Sequence, residues 1–171
     1  MKSQHQVILS IGSNQGNRLE NVKHCIELIH QEVGTVIKVS KIYETPSWGF
    51  ESDSFYNCAL FVHTFSSAHK VLTQVLKIEK KLGRIRNEKK GYQSRIIDVD
   101  LIAFDTEIID TGKLQIPHPL MQERKFVLLP IQDLNLDWEH PILKKSILTL
   151  LQECPDDSNC VVADHLENPL H

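Results

Sequence analysis

Two segments of this sequence space their apolar residues at helical intervals, and each lies between stretches with the alternating pattern of β-strands. A buried helical face recurs every three or four residues, whereas a strand alternates its faces residue by residue. The first helix is predicted from Asn17, where Glu20 completes a capping box, to Gly34. The second follows Ser66–Ser67 and ends at Gly83. Their buried faces consist of Leu19, Val22, Ile26, Ile29 and Val33 in the first helix, and Ala68, Val71, Leu72, Val75, Ile78 and Leu82 in the second.

Strands are predicted on both sides of these helices. Val7–Ile11 precedes the first helix and ends in a loop at Gly12–Gly16. Two more, Thr35–Tyr43 and Phe55–Thr64, lie between the helices, and Ile96–Phe104 follows the second. The order βαββαβ is that of a ferredoxin-like α+β sandwich, in which a mostly antiparallel sheet carries two helices on one face.

Beyond Phe104 the pattern predicts smaller elements and then a polar tail. They are a turn at Asp105–Thr106 leading into Glu107–Ile109, a last short strand at Lys113–Ile116, helices at Glu123–Leu134 and Ser146–Cys154, and a tail from Pro155. A chain of 171 residues has the length of one domain. We therefore expect a single domain at residues 1–154 and a polar tail at residues 155–171.

Charge and cysteine usage exclude several classes of protein. The net charge of −3 argues against a general binder of nucleic acid or membrane surfaces. The first residues lack the apolar core of a signal peptide, and no apolar run approaches the roughly 20 residues of a membrane helix. Cys25, Cys58, Cys154 and Cys160 form no Cys-x-x-Cys pair and are typical of reduced thiols. We expect a cytoplasmic monomer that binds neither nucleic acid nor membrane.

Two acids alternate with apolar residues in the last long strand. Asp98 and Asp100 share one face, about 7 Å apart along the strand, while Ile97, Val99 and Leu101 share the other. Carboxylates that face the same way repel each other, and a bound dication removes that repulsion. Oxygen ligands of this kind suit Mg²⁺. The alternative is a solvated strand face that carries two acids without any metal.

The polar stretch before this strand is locally basic. It carries Arg84, Arg86, Lys89, Lys90 and Arg95 within a chain that is net acidic. The forked donors of arginine match phosphate oxygens, and Mg²⁺ on the two acids would neutralise the same polyphosphate from the other side. The alternative is a patch of salt bridges. Because the sequence contains no Gly-x-x-x-x-Gly-Lys-Ser/Thr loop, phosphate binding is assigned to side chains and metal.

Six short motifs follow one another in an order and at spacings typical of a known family. They are Gly12-Ser13-Asn14, Tyr43-x-Thr45-Pro46, Phe55-Tyr56-Asn57, Gly83-Arg84-x-Arg86, Arg95-x-x-Asp98-x-Asp100 and Pro117-His118. Over roughly residues 6–150 the chain thereby resembles the 6-hydroxymethyl-7,8-dihydropterin pyrophosphokinases of folate biosynthesis. The resemblance implies transfer of pyrophosphate from ATP to the hydroxymethyl group of the pterin, which gives the pterin diphosphate and AMP.

The resemblance also implies roles for individual residues. The residues expected to act in catalysis are Arg84, Arg95, Asp98 and Asp100, with two Mg²⁺ ions held by Asp98 and Asp100 when ATP is bound. The residues expected to bind ATP are Arg84, Arg95, Lys113, His118 and Arg124. The residues expected to bind the pterin are Thr45, Pro46, Trp48, Phe55, Asn57, Tyr92 and Phe126, with Phe55 and Phe126 as a stacking pair.

Two alternatives without chemistry remain open at this level. Ferredoxin-like sheets often bind RNA through exposed aromatic residues and basic loops, so the chain could be an RNA-binding module without catalysis. It could also be a regulatory domain that binds a small molecule. RNA binding that depends on salt, without binding of ATP, would favour the first alternative. Release of AMP from ATP would exclude the second.

Overall fold

A computed structural model describes residues 2–46, 54–83 and 96–164, and one antiparallel sheet runs through all three stretches. The strands are β1 (His5–Ser13), β2 (Thr35–Val39), β3 (Ile42–Thr45), β4 (Phe55–Thr64), β5 (Asp98–Phe104), β6 (Ile109–Asp110), β7 (Gln115–Ile116) and β8 (Val161–Asp164). The α-helices are α1 (Arg18–Glu32), α2 (Ala68–Lys81), α3 (Lys125–Asp133) and α4 (Ile147–Glu153), and a 3-10 turn, Met121–Glu123, precedes α3.

The strand order of the main sheet is β5-β1-β4-β3-β8, and β2 pairs with β4 beside β3. The first and fourth strands of the βαββαβ unit, β1 and β5, are therefore neighbours, and β4 lies on the other side of β1. The short strands β6 and β7 pair only with each other among the described residues. This arrangement confirms the ferredoxin-like α+β fold that the order of elements predicts.

Helices α1 and α2 begin where the sequence predicts them, because side chains cap their first backbone N–H groups. The Asn17 side chain accepts a hydrogen bond from the backbone of Glu20 at 3.1 Å, and Ser67 accepts one from Lys70 at 3.2 Å. After α2, Gly83 adopts a φ of +94°, a conformation that favours glycine. The two predicted apolar faces pack on the sheet and form a first core cluster, with Leu19, Leu72 and Leu82 at its margin.

The second predicted strand is wrong in one respect, since Thr35–Tyr43 is two strands rather than one. Ser40 is buried between β2 and β3, and its Oγ accepts the backbone N–H of Ala59 at 2.8 Å. A side chain therefore takes the place of a backbone acceptor in the ladder, and the regular alternation stops there. The pairing of β2 with β4 also shifts earlier, between Val36 and Lys38, where Ile37 has no partner on β4. Together the two irregularities bring Val36, Val39 and Ile42 to the first core, although strict alternation separates Val39 from the other two.

The opposite face of the sheet is also covered. Helices α3 and α4 pack there through a second core cluster, which takes Ile8, Ala59, Ile102 and Ala103 from the sheet. The apolar residues of the two helices in this cluster are Val127, Leu128, Ile131, Ile147 and Leu150. Because β1 contributes to both clusters, it is buried on both faces. The part of the sheet that these helices leave uncovered includes the acid-bearing half of β5.

The polar tail contains one more strand than the sequence indicated. Val161–Asp164 forms β8, which pairs antiparallel with β3 at the edge of the sheet. The side chains of Val161 and Val162 are exposed, so the strand has no buried apolar face. Periodicity cannot detect a strand of this kind, because its pairing is made by backbone groups.

All four cysteines are free thiols, as predicted. Cys25 and Cys58 are fully buried, and burial raises the pKa of the Cys58 thiol to about 12 and that of Cys25 well above its ordinary value.

Among the helices of the described residues, none has the length and apolar content that crossing a bilayer requires.

We expect Cys25 and Cys58 to resist modification by Ellman's reagent at pH 8 until the protein unfolds, because the thiolate is the reactive species and burial suppresses it. The measurement is the number of thiols titrated in native and in denaturing buffer. The control is Cys58→Ala, which should lower the denatured count by one and leave the native count unchanged. Reaction of all four thiols at one rate in the native protein would contradict the expectation.

Candidate active site

Asp98 and Asp100 lie on the face of β5 opposite the first core. Ile97, Val99 and Leu101 are buried in the first core cluster, on the side of α2, while the two acids between them are half-buried. The alternation predicted from the sequence is therefore present in the structure. Both acids project from the same sheet face on which α3 and α4 pack at another position. These helices therefore border the carboxylate pair on one side.

A β-bulge attaches a histidine to the strand that carries the acids. The pairing of β1 with β5 shifts between Ile8 and Leu9, so that Ile102 has no partner residue on β1. Its carbonyl oxygen instead accepts the backbone N–H of His118 at 2.9 Å. Extra residues in a ladder commonly redirect a strand in this way near functional sites. The segment after β7 is thereby attached to the acid-bearing strand.

The environment of His118 makes it a neutral hydrogen-bond donor at pH 7. Burial, together with the positive charge of Arg124, lowers the pKa of His118 to about 4, although the charge of Asp98 opposes the shift. The Nδ1 atom accepts the backbone N–H of Leu120 at 3.2 Å, so the proton of the neutral ring is on Nε2. An N–H group next to an arginine is suited to a phosphate oxygen.

A row of paired residues connects the acids to the predicted pterin-binding residues. Gly12 on β1 is opposite Asp98 on one side and Asn57 on the other. Directly paired residues of antiparallel strands project to the same face, so Asp98 and Asn57 lie on one face with only a glycine between them. Thr45 is opposite Phe55, which is two residues from Asn57 and so shares that face.

The amide of Asn57 is held in a fixed orientation. It is buried, and its Nδ2 donates a hydrogen bond to Thr45 Oγ1 at 2.6 Å. A Cβ atom placed on Gly12 would stand 2.8 Å from Asn57 Oδ1 and 3.5 Å from the Phe55 ring. Gly12 therefore leaves a stretch of backbone without a side chain between these two groups, which we call the floor of the site. A planar ligand over the glycine would meet an oriented amide and an aromatic side chain.

The start of α3 borders the same face. Arg124 precedes the helix, and its guanidinium lies 5.8 Å from the centroid of the Phe126 ring. Phe126 is partly buried and packs against the second core cluster. Two other predicted residues are exposed: Pro46 follows β3, and Lys113 lies between β6 and β7. The remaining predictions, Trp48, Arg84, Tyr92 and Arg95, lie outside the described residues, as do Arg86, Lys89 and Lys90.

Two residues at the site were not identified from the sequence. Gly12 was assigned to a loop, which is wrong, because β1 continues through it to Ser13. The residues of β1 on the acid face, Ile8, Ser10 and Gly12, become smaller along the strand, and that trend is a signal for a ligand-facing floor.

The second residue is Glu79, only 2% exposed, whose Oε2 accepts the backbone N–H of Val99 at 2.9 Å. It therefore holds the edge strand at the position between the two acids. A charged side chain four residues after Val75, on the buried face of α2, was the signal in the sequence.

Comparison with known proteins points to one family. A sequence model of that family, described as 7,8-dihydro-6-hydroxymethylpterin-pyrophosphokinase (HPPK), matches residues 8–136. The chain is 34% identical over 142 residues to the 2-amino-4-hydroxy-6-hydroxymethyldihydropteridine pyrophosphokinase of Aquifex aeolicus, covering 82% of this chain and 87% of that protein. It is 38% identical over 128 residues to the Bacillus subtilis protein of the same name, covering 74% and 75%.

Longer proteins also contain a similar segment. The folic acid synthesis protein FOL1 of Dictyostelium discoideum is 36% identical over 154 residues, which are 90% of this chain but 23% of that protein. The chain thus spans about a quarter of that relative's length. A crystal structure of a Plasmodium falciparum HPPK-DHPS triple mutant shares the fold, with a TM-score of 0.74 at 16% identity, over 90% of this chain and 44% of that one.

Proposed function

This chain belongs to the 7,8-dihydro-6-hydroxymethylpterin-pyrophosphokinase family, and from that premise we propose that it transfers pyrophosphate from ATP to the hydroxymethyl group of 6-hydroxymethyl-7,8-dihydropterin. The products are the pterin diphosphate and AMP, and the pathway is folate biosynthesis. One observation carries the proposal: the carboxylate pair of β5 and the oriented amide of Asn57 share a sheet face across Gly12. A pterin seated over the glycine would direct its side chain toward the acids.

The pterin half of the site is suited to a flat ring with a polar edge. Because Nδ2 of Asn57 donates to Thr45, the amide presents a defined pattern of donor and acceptor to such an edge. Phe55 and Phe126 supply aromatic surface for the ring faces. Trp48, Pro46 and Tyr92 complete this half in the proposal, on the strength of the family motifs alone.

The residues of the phosphate half fit Mg²⁺. No group of three or more His, Cys, Asp or Glu side chains in residues 2–46, 54–83 and 96–164 could enclose an ion. A pair of half-buried carboxylates instead suits a cation that keeps water and phosphate oxygens as ligands. When bound at Asp98 and Asp100, Mg²⁺ would neutralise the negative charge of the ATP phosphates. The family motifs lead us to propose two ions.

The cationic and neutral donors around the acids orient the triphosphate. The Arg124 guanidinium lies close enough to His118 to help lower the pKa of the imidazole, and both His118 Nε2–H and the guanidinium can donate to phosphate oxygens. Arg84, Arg95 and Lys113 are proposed to complete this set. The guanidinium forks of Arg84 and Arg95 would stabilise the charge that develops on the transferred group.

In the proposed reaction the hydroxymethyl oxygen attacks the β-phosphorus of ATP, a new P–O bond forms, and the bond between the β-phosphorus and the AMP oxygen breaks. The hydroxyl proton leaves late, toward the Asp98 carboxylate. Catalysis therefore depends mainly on placing the two substrates in line and on neutralising charge, with little demand for a strong base. A single sheet face that carries both half-sites would serve both requirements.

The decisive experiment mixes the purified protein with ATP, Mg²⁺ and the reduced pterin and follows nucleotides by chromatography. We expect AMP and the pterin diphosphate to appear in equal amounts, and both to vanish when the pterin is omitted or a chelator removes the metal. Formation of ADP in place of AMP would contradict pyrophosphate transfer. Binding of ATP and pterin without any product would favour a regulatory domain instead.

The RNA-binding alternative has no support in this structure. RNA-binding sheets of this type use an open sheet face. Here α3 and α4 cover part of that face, and Asp98 and Asp100 place negative charge on the next part of it. For the enzyme in the cell we propose a cytoplasmic location, in keeping with its four free thiols.

A further inference from the structure

The segment between α4 and β8 passes the first turn of α3 and is bonded to it. The Asp156 carboxylate accepts the backbone N–H of Lys125 through Oδ2 at 3.0 Å. The Lys125 ammonium in turn donates to the carbonyl oxygen of Ser158 at 3.1 Å. Lys125 stands between Arg124 and Phe126, two residues of the proposed substrate site. The segment therefore contacts the one residue that joins an ATP-binding and a pterin-binding side chain.

Asp156 is itself fixed in place. Its Oδ1 accepts hydrogen bonds from both the backbone and the hydroxyl of Ser158. Burial acts to raise the pKa of Asp156, but the hydrogen bonds from Ser158 and Lys125 outweigh it and hold that pKa below its usual value. The group is therefore a carboxylate at neutral pH. A carboxylate on a free N–H at the start of a helix stabilises that first turn by hydrogen bonding and by its charge.

The same segment is also bonded to the pterin side of the site. Through β8 it pairs with β3, where Val161 is opposite Glu44 and Val162 is opposite Tyr43. Thr45, which accepts the hydrogen bond that orients Asn57, follows Glu44 in β3. All of residues 154–164 lie outside the stretch 8–136 that matches the family's sequence model. These contacts are therefore a property of this chain beyond what the family motifs describe.

We propose that Asp156 is a positioning residue of the active site, which fixes the first turn of α3 and thereby the placement of Arg124 and Phe126. The assignment of ligands to those two residues rests on the proposed function. Without the carboxylate, the first turn of α3 loses the acceptor for a backbone N–H, and both side chains sample more conformations. Substrate binding should weaken, whereas the chemistry at Asp98 and Asp100 should change little once both substrates are bound.

The test compares Asp156→Ala with Asp156→Asn and with Asp157→Ala, a neighbouring exposed carboxylate, in the full chain. Asp156→Ala is expected to raise KM for ATP and KM for the pterin by about fivefold each, because one helix-capping interaction is lost. The value of kcat should stay within about twofold of the wild type. Asp156→Asn should restore most of the affinity, because an amide oxygen still accepts the Lys125 N–H. Asp157→Ala should match the wild type. A lower melting temperature with both KM values unchanged would mean that Asp156 is merely structural and would overturn the proposal.

A second measurement does not depend on turnover. Hydrogen exchange of the Lys125 amide, followed by NMR, is expected to be about tenfold faster in Asp156→Ala and unchanged in Asp157→Ala. Absence of AMP formation by the wild type would reject the proposed function, while the exchange rates would still decide the role of Asp156. Equal rates in all variants would refute it. If Asp156→Ala does not fold, Ser158→Ala replaces it, and an unchanged Lys125 exchange rate there would count against the proposal.

Discussion

Replacement of Asp100 with alanine is expected to lower kcat by about a thousandfold or more and to leave the dissociation constant of the pterin within about twofold of the wild type. The carboxylate is half-buried on β5 and lies opposite Ser10. It is two residues further along the strand than Asp98, which belongs to the row of paired residues that includes Gly12 and Asn57. Its loss removes one of only two acids proposed to hold Mg²⁺ against the ATP phosphates. The pterin half, built on Asn57 and Thr45, is not altered.

The measurement combines steady-state kinetics at saturating Mg²⁺ with fluorescence titration of the pterin. Asp137→Ala is the matched control, since it also removes one carboxylate, but from an exposed position in the loop that follows α3. It should keep full activity. Full activity of Asp100→Ala at saturating Mg²⁺ would refute the assignment of the metal. Loss of pterin affinity in parallel with kcat would show instead that the sheet face is disturbed as a whole.

Gly12→Ala is expected to weaken pterin binding by about 10- to 100-fold, because the added methyl group would stand 2.8 Å from Asn57 Oδ1. Asn57 cannot easily move away, since it is buried and bonded to Thr45 at 2.6 Å. The methyl group would also fill the floor on which the ring is proposed to lie. The dissociation constant of the pterin is the quantity to measure, together with the melting temperature.

Gly112→Ala is the control for this substitution, since a Cβ atom at Gly112 meets nothing within 4 Å. Pterin affinity should be the same as in the wild type. If Gly12→Ala binds the pterin normally while remaining folded, the ring does not occupy the floor between Asn57 and Phe55. A Gly12→Ala protein that melts at a much lower temperature would instead locate the conflict in the sheet itself.

The features predicted correctly from the sequence depend on neighbours within a few residues. The caps at Asn17 and Ser67 and the apolar faces of α1 and α2 follow from spacings of three and four. The alternation around Asp98 and Asp100 follows from a spacing of two. The family motifs then joined these local features to a function, which neither periodicity nor composition could supply.

The errors arise where a distant partner changes the local rule. Ser40 interrupts the second predicted strand because its hydroxyl bonds to Ala59, nineteen residues away. Gly12 looks like the beginning of a loop, but Asn57 and Asp98 pair with it from both sides and keep it in the sheet. The strand β8 has no apolar alternation to reveal it, because its bonds to β3 come from the backbone.

The sequence by itself determined the helices, the order of the main strands and the two acids on one strand face, since each is set by side chains a few residues apart. Only the tertiary structure decided that a glycine separates Asp98 from Asn57, that Glu79 holds the strand between the acids, and that Asp156 reaches the start of α3. These are contacts between residues 20 or more positions apart. Such contacts form only when the whole sheet pairs and its two cores pack, so no local pattern encodes them.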